Sequence, residues 1–179
     1  MVIQVDRGEV CITADEVLVS KISTCVSVCL YSPELMVGGM NHIYGSRTTH
    51  DSPSGKYIKK ESEGYYYADN AVPKLLSMFK SISKTIKNEN IYLFVVGGYD
   101  NEGPLIETLE ELGLKEVKTG NNKQLLTTRY ESKYKFKLFG YCLNQEVYRT
   151  VKFDVKRRKI EINKKKPYSS KEEINIISF

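Results

Sequence analysis

Cys25 and His42 are the two residues whose types and spacing could support covalent chemistry. They lie seventeen positions apart, in two apolar runs separated by a turn at Ser32-Pro33-Glu34. Both runs are rich in β-branched and aromatic residues, and we predict that they pair as a hairpin of buried strands. Paired strands lie about 5 Å apart, so a thiol and an imidazole on the same face could meet. That is the minimum geometry for a cysteine nucleophile with a histidine base.

The same residues also allow structural interpretations. A cysteine on a strand is usually a small core side chain, and a lone histidine is usually a hydrogen-bonded core residue. Cys29 faces the same side as Cys25 by strand alternation, so two thiols and His42 could suggest zinc. However, a Cys-x3-Cys spacing inside an apolar strand lacks the turn of a zinc knuckle, so we expect no metal. Composition and spacing alone leave the function open.

The elements that must position these groups belong to one domain of 179 residues. Its apolar fraction of 41 % and charged fraction of 27 % are ordinary for a soluble globular protein. No apolar run approaches the roughly 20 residues of a membrane span, and we see no secretory signal. We therefore expect a cytoplasmic protein whose four cysteines are reduced thiols.

The net charge of +5 is concentrated near the C-terminus. Residues 151–179 contain nine Lys or Arg and four Asp or Glu, an excess equal to that of the whole chain. The runs 156–159 and 164–166 could form a patch for nucleic acid or another anionic surface. No nucleic-acid motif accompanies them, so we expect a solvated strand turn and tail, and no nucleic-acid partner.

Strand and helix patterns mix along the chain. We predict a helix capped by Asp69 or Asn70 and stopped by residues 88–90. A central strand follows over 91–96 and ends at Gly97-Gly98. Further helices are expected over 104–112 and 119–132, and a polar surface loop over 45–64. The first helix has apolar residues at helical spacing, namely Val72, Leu75, Leu76, Phe79, Ile82 and Ile86. The other expected strands are 9–13, 17–19, 26–31, closing strands from 136 to 155, and 159–162, which pairs as a hairpin across 156–158.

These patterns predict a layered α/β sandwich, of the α/β or α+β class, in which two to three helices pack on one mixed β-sheet. No internal repeat or boundary divides the chain into two domains. Residues 1–162 are expected to form the domain, and residues 163–179 either a basic C-terminal tail or its last strand.

Six short segments occur in a fixed order over roughly residues 8 to 162: Val17–Ser20, Ser23–Val28, Gly38–Ile43, Tyr67–Pro73, Val96–Gly98 and Arg149–Phe153. In sequence and order they resemble the CheD family of chemoreceptor glutamine deamidases. That family has V-I/L-V-T, G-S-C-V-x-V, G-G-M-x-H-I, Y-A-D-x-A-V-P, a strand ending in G-G, and R-[ST]-V-x-[FY]. The combination of G-G-M-x-H with Y-A-D-x-A-V-P is the specific part of the resemblance.

The sequence departs from the family pattern around the cysteine. Ser23 replaces the glycine, and Thr24 stands where serine is usual. The segment before Cys25 is one residue short, so the family's catalytic threonine falls on Ser20 with a gap and on Val19 without one. Hydroxyl chemistry favours Ser20.

The resemblance implies a protein-glutamine glutaminase, an amidohydrolase that acts in chemotaxis adaptation. His42 would draw the proton from Cys25, whose thiolate attacks the side-chain carbonyl of a glutamine and forms a thioester that water hydrolyses to glutamate. Ser20 would fix the imidazole tautomer. Thr24, Gly97 and Gly98 are candidates for oxyanion or substrate binding. No cofactor or metal is required.

The implied substrate is the helical cytoplasmic part of a methyl-accepting chemoreceptor, without membrane insertion. CheD-like proteins also bind CheC/CheX-type phosphatases of the response regulator, so this chain could serve mainly as a non-catalytic partner of such a phosphatase. A cysteine peptidase or transglutaminase-like enzyme would share the Cys/His chemistry, but it lacks the second motif match.

Overall fold

The computed structural model of the chain describes residues 1–44, 64–97, 108, 111–116, 138–139, 148–165, 168 and 170–179. These residues include eleven β-strands and one complete α-helix, α1 (Ala68–Ile82), followed by a 3₁₀ turn at Asn88–Asn90. The strands are β1 Val2–Gln4, β2 Val10–Thr13, β3 Val17–Ile22, β4 Val26–Ser32, β5 Val37–Ile43, β6 Tyr92–Gly97, β7 Lys115–Glu116, β8 Leu138–Phe139, β9 Tyr148–Asp154, β10 Lys159–Lys165 and β11 Glu172–Ser178.

The strands form two sheets rather than the single sheet that was expected. Sheet A has the order β1-β3-β9-β10-β11, and sheet B has the order β2-β5-β4-β6-β7, with β8 also beside β6. Both sheets are mixed, because β1 runs parallel to β3, and β7 and β8 run parallel to β6. The remaining pairs are antiparallel. The fold is therefore mixed α/β and compatible with the α+β class.

Sheet B is the middle layer of the fold. All residues of β4 and β5 are buried, because α1 covers one face of this sheet and sheet A covers the other. Burial on both faces explains why these strands are apolar without alternation. In contrast, β9 alternates between buried and more exposed residues, as a strand with one solvated face does. We call the space between the two sheets the interlayer; its apolar core includes Leu18, Cys29, Met40, Phe94, Val151 and Phe153.

Two consecutive glycines allow both outer layers to approach β5. A Cβ atom on Gly38 would lie 2.6 Å from a methyl group of Val155, and one on Gly39 would lie 2.7 Å from a methyl group of Leu75 on α1. Both distances are shorter than real Cβ contacts, so a larger residue would displace the side chains that it meets. Close packing of the layers is therefore a structural reason for the Gly38-Gly39 pair.

Helix α1 begins and ends earlier than the sequence predicted. Its N-cap is Tyr67. Asn70 is the third residue of the helix, and its side-chain oxygen accepts a hydrogen bond from the Tyr67 N–H at 3.1 Å. The helix ends at Ile82, whose side chain is 52 % exposed. Ile86 reaches the core from the turn that follows. The prediction that Ile82 lies on the buried face was therefore wrong.

The expected strands at 9–13, 17–19, 26–31, 91–96 and 159–162 are confirmed, with small shifts in their bounds. Strand β1 was not predicted, because three residues give too short a pattern. The helix predicted over 104–112 falls mostly outside the described residues, where Thr108 and Glu111 are helical. The helix predicted over 119–132 falls wholly outside them, and of the loop predicted over 45–64 only Gly64 is described. No helix in the described part of the chain has the length and apolar content of a membrane span.

Several basic residues near the C-terminus are paired with acids on sheet A. Lys152 and Lys159 lie 3.1 and 3.5 Å from the Glu161 carboxylate. Arg157 lies 2.9 Å from Asp154 in the turn between β9 and β10. Such exposed pairs contribute about 0–1 kcal/mol each to the free energy of unfolding. These basic residues therefore belong to a solvated surface and add little stability. Residues 163–179 include the end of β10 and the whole of β11.

Candidate active site

Cys25 and His42 lie on the same face of sheet B and point into the interlayer. Ser27 is directly opposite His42 in the β4–β5 hairpin. Cys25 is two residues before Ser27, so its side chain takes the same face, and it belongs to the interlayer cluster. Diagonal neighbours across paired strands are about 7–8 Å apart, within reach of a ring side chain. The hairpin therefore supplies the shared face that a thiol and its base require.

Cys25 and Cys29 share this face but differ in environment. The side chains of Cys25 and His42 are each 7 % exposed, whereas Cys29 is 0 % exposed. Burial raises the pKa of the Cys29 thiol far above its usual range, so this thiol stays protonated. Cys25 instead lies at the end of the strand, next to the exposed Thr24. Of these two cysteines, Cys25 is the one placed to react.

The bend that carries Cys25 connects the two sheets. Residues 23–25 link β3 of sheet A to β4 of sheet B. Gly97 packs against this bend with φ of +97°, and a Cβ atom there would lie 2.6 Å from the Cys25 carbonyl oxygen. Thr24 and Gly97 therefore both adjoin the nucleophile in the described part of the chain. Gly98 lies outside the described residues.

His42 is held by the segment that connects β1 to β2. The Gly8 N–H donates to the His42 carbonyl oxygen at 2.9 Å, and the His42 ring is hydrogen-bonded to the backbone of Val5. Because Nδ1 is buried without a hydrogen-bond partner, we assign the bond with Val5 to the Nε2–H. A neutral imidazole that donates from Nε2 has its lone pair on Nδ1. The main chain therefore holds the imidazole and leaves Nδ1 without a hydrogen bond.

The protonation state of His42 suits this role. Burial lowers the pKa of His42 below its usual value of 6.5. The hydrogen bond with Val5 opposes this shift, the positive charge of Arg7 adds to it, and the negative charge of Asp6 reduces it. Since the net direction is downward, the imidazole is neutral at pH 7 and can accept a proton.

Two serine hydroxyls accompany His42 in the interlayer. Ser20 lies on the inner face of β3 beside Val5, whose N–H donates to the Val19 carbonyl oxygen at 2.7 Å. Ser20 Oγ, Ser27 Oγ and His42 Nδ1 are all buried and have no hydrogen-bond partner. The bond predicted between Ser20 and the imidazole is therefore not formed in this structure, where Val5 holds the other ring nitrogen. Ser27 was not predicted, although the hairpin register would have placed it opposite His42.

A buried cation also adjoins the bend. Arg149 is 2 % exposed, and its Nη1 donates to the carbonyl oxygen of Ser23 at 2.6 Å. It points into the interlayer because it alternates on β9 with the inward-facing Val151 and Phe153. In the sequence, Arg149 stands out only as the first residue of the Arg149–Phe153 segment. A contact between residues more than a hundred positions apart leaves no local pattern that would predict it.

Aromatic residues border the site where β5 ends. Tyr44 follows β5 and packs against the interlayer cluster, with the Arg7 guanidinium 5.1 Å from its ring centroid. The rings of Tyr66 and Tyr67 lie 6.3 and 5.7 Å from that of Tyr44. The border next to His42 is therefore aromatic and carries the positive charge of Arg7.

No group of three His, Cys, Asp or Glu side chains in the described ranges is arranged to hold a metal ion. What the site offers is a thiol, a neutral imidazole with an available lone pair, and two buried hydroxyls. This set is suited to acyl transfer through a thioester. No protein-family model matches the chain, and no curated protein matches it either.

Proposed function

We propose that this chain is a protein-glutamine deamidase of the CheD type, which acts in the cytoplasm on chemoreceptors. The observation that carries the proposal is the placement of the Cys25 thiol and the neutral His42 imidazole on one face at one end of the interlayer. The order of motifs that resembles CheD supports the substrate, a glutamine on the cytoplasmic helices of a methyl-accepting receptor.

In the proposed reaction, His42 Nδ1 takes the proton of Cys25, and the thiolate attacks the carbonyl carbon of the glutamine side chain. The C–N bond breaks as the departing nitrogen takes the proton back from Nδ1, so ammonia leaves and a thioester remains. His42 then removes a proton from water, which attacks the thioester. Glutamate is released, and the proton returns to the Cys25 sulfur.

The negative oxygen that develops on the substrate carbonyl needs hydrogen-bond donors. Backbone N–H groups of Thr24 and Cys25 lie in the bend that carries the nucleophile, and Gly97 packs against it. Loss of one such donor typically costs about 3–4 kcal/mol of transition-state stabilisation. Thr24, Gly97 and Gly98 remain the proposed oxyanion or substrate-binding residues.

The direct test uses purified cytoplasmic receptor fragments that carry glutamine at the modification sites. Incubation with the wild-type chain should release ammonia in proportion to the glutamate that mass spectrometry detects at defined positions. A fragment in which those glutamines are replaced by asparagine is the control, because its amide carbon is displaced by one methylene. Absence of ammonia from every receptor fragment, with an intact thiol at Cys25, would reject the enzymatic function.

Partial closure of the site favours a second candidate, a non-catalytic partner of a CheC/CheX-type phosphatase. Cys25 and His42 are both almost buried, and the bond expected between Ser20 and the imidazole is not formed. A pure binding role would require neither an open site nor that bond. Tight binding to the phosphatase without any ammonia release would favour this candidate.

The two buried serines give a test of the third catalytic position. Once Nδ1 has accepted the Cys25 proton, a nearby hydroxyl can accept a hydrogen bond from the imidazolium and stabilise it. We expect Ser20→Ala to lower kcat about tenfold, within the range that hydrogen bonds to charged groups allow. Ser27→Ala is the matched variant, since it removes a second buried hydroxyl from the same layer. If Ser20→Ala is silent and Ser27→Ala has a large effect, the role moves to Ser27. If Ser20→Ala is silent and Thr24→Ala has a large effect, the gap was misplaced.

A further inference from the structure

Arg149 is a buried, positively charged residue beside the cysteine bend, residues 23–25. It pairs across β3 and β9 with Ile22, the last residue before the bend. Its neighbours on the inner face of β9 are Val151 and Phe153, so the strand otherwise presents apolar side chains to the interlayer.

A guanidinium in such a layer is costly to bury unless its N–H groups are hydrogen-bonded, with an effective penalty of several kcal/mol. The bond to the Ser23 carbonyl oxygen is short, at 2.6 Å, and joins segments 126 residues apart. An apolar side chain at this position would fill the space without that penalty. The bond to the Ser23 carbonyl is a contribution that an apolar side chain at this position could not make.

That bond fixes more than one atom. The Ser23 carbonyl and the Thr24 N–H belong to the same planar peptide group, so holding the oxygen also sets the direction of the N–H. On the other side of the bend, the backbone of Gly97 lies against the Cys25 carbonyl. The three residues that cross from sheet A to sheet B are thus held by Arg149 from one sheet and by Gly97 from the other.

We propose that Arg149 is a positioning residue for Cys25, which acts through the Ser23 carbonyl to set the orientation of the nucleophile and of the N–H groups beside it. In its catalytic consequence this inference rests on the proposed deamidation. The effect on the thiol is independent of any receptor and can be measured by itself.

The test is the rate at which iodoacetamide alkylates Cys25, followed by site-resolved mass spectrometry across a pH series. All variants are compared at one temperature, at which urea unfolding shows that each of them is folded. Arg149→Met should lower the alkylation rate at pH 7 about tenfold and raise the pH midpoint of alkylation by about one unit, because aligned N–H groups and a nearby cation favour the thiolate. Arg149→Lys should give an intermediate result, since lysine keeps a charged donor but loses the planar fork.

Lys152→Met is the matched control. Lys152 is on the same strand and also carries a positive charge, but it faces outward and pairs with Glu161. Its loss should leave the alkylation rate and the pH midpoint of Cys25 unchanged.

The inference is overturned if folded Arg149→Met shows the wild-type rate and pH midpoint. If Arg149→Met does not fold, the alkylation rate and pH midpoint of Arg149→Lys are used instead, and wild-type values for both would overturn the inference. A dependence of alkylation on Arg149 without any ammonia release from receptors would retain this inference and reject the proposed function. If deamidation does occur, Arg149→Lys should lower kcat and leave KM nearly unchanged.

Discussion

Replacement of Cys25 by alanine should reduce ammonia release from a glutamine-bearing receptor fragment to the uncatalysed rate. Alanine removes the sulfur that would form the thioester, and the second thiol on this face, Cys29, is kept protonated by burial. The fold should survive, because the change removes one small atom from a side chain at the end of a strand, a loss of about 1 kcal/mol in the free energy of unfolding. Ammonia release and urea unfolding of the same preparation measure the two effects.

Cys29→Ala is the matched control for this experiment. Cys29 lies four residues further along the same face, is fully buried, and keeps its proton. Its loss should lower the free energy of unfolding by a similar amount and leave ammonia release within about twofold of wild type. If Cys25→Ala retained the wild-type rate, the nucleophile would lie elsewhere.

His42→Gln should lower kcat/KM by about two to four orders of magnitude, the usual contribution of a general acid–base. Glutamine is the informative replacement, because its amide N–H can take the place of Nε2–H against the backbone of Val5, whereas it offers no basic atom at the position of Nδ1. In the wild type, kcat/KM should fall on the acid side with a midpoint below pH 6.5, since burial lowers the pKa of His42. This acid limb should be absent from His42→Gln.

The same pKa shift predicts how stability depends on pH. Above pH 6.5 His42 is neutral in both the folded and the unfolded chain, so it adds no pH dependence. As the pH falls below 6.5, the unfolded chain takes up a proton that the folded chain does not, and stability is lost by at most about 1.4 kcal/mol per pH unit. Urea unfolding at pH 7.5 and 5.5 should show this loss in wild type and a smaller loss in His42→Gln.

His50 is the other histidine of the chain, so His50→Gln is the control for this comparison. It should retain both the acid limb of kcat/KM and the wild-type loss of stability at pH 5.5. If the acid limb of kcat/KM remained in His42→Gln and disappeared in His50→Gln, the general base would be His50 and not His42.

The hairpin that carries Cys25 and His42 could be predicted from the sequence, because runs of β-branched and aromatic residues and a Pro-containing turn are local signals. The burial of β4 and β6 was likewise evident from unbroken apolar runs. The existence of two sheets was not evident. Alternation shows that β9 has one solvated face, but it does not show which strand lies beside it.

The surroundings of His42 and Cys25 could not be predicted for a related reason. The partner of the imidazole is the backbone of Val5, which any residue at that position could supply. The partner of the cysteine bend is Arg149, which is brought there by the pairing of β3 with β9. A backbone acceptor and a long-range contact both depend on the completed fold rather than on a local pattern of residue types.

The attachment of Cys25 and His42 to one hairpin has a consequence for how this site could change through mutation. Cys25 directly precedes β4 and His42 lies on β5, so both are attached to the same hairpin, although the bend at Cys25 is also held by Arg149 of sheet A. Val5, Ser20 and Arg149 belong to sheet A or its border. A small shift of sheet A would change where they lie relative to the thiol and the imidazole, while the hairpin still keeps those two groups close. Variants that retune the reaction rate should therefore accumulate on β1, β3 and β9, while the hairpin itself tolerates few.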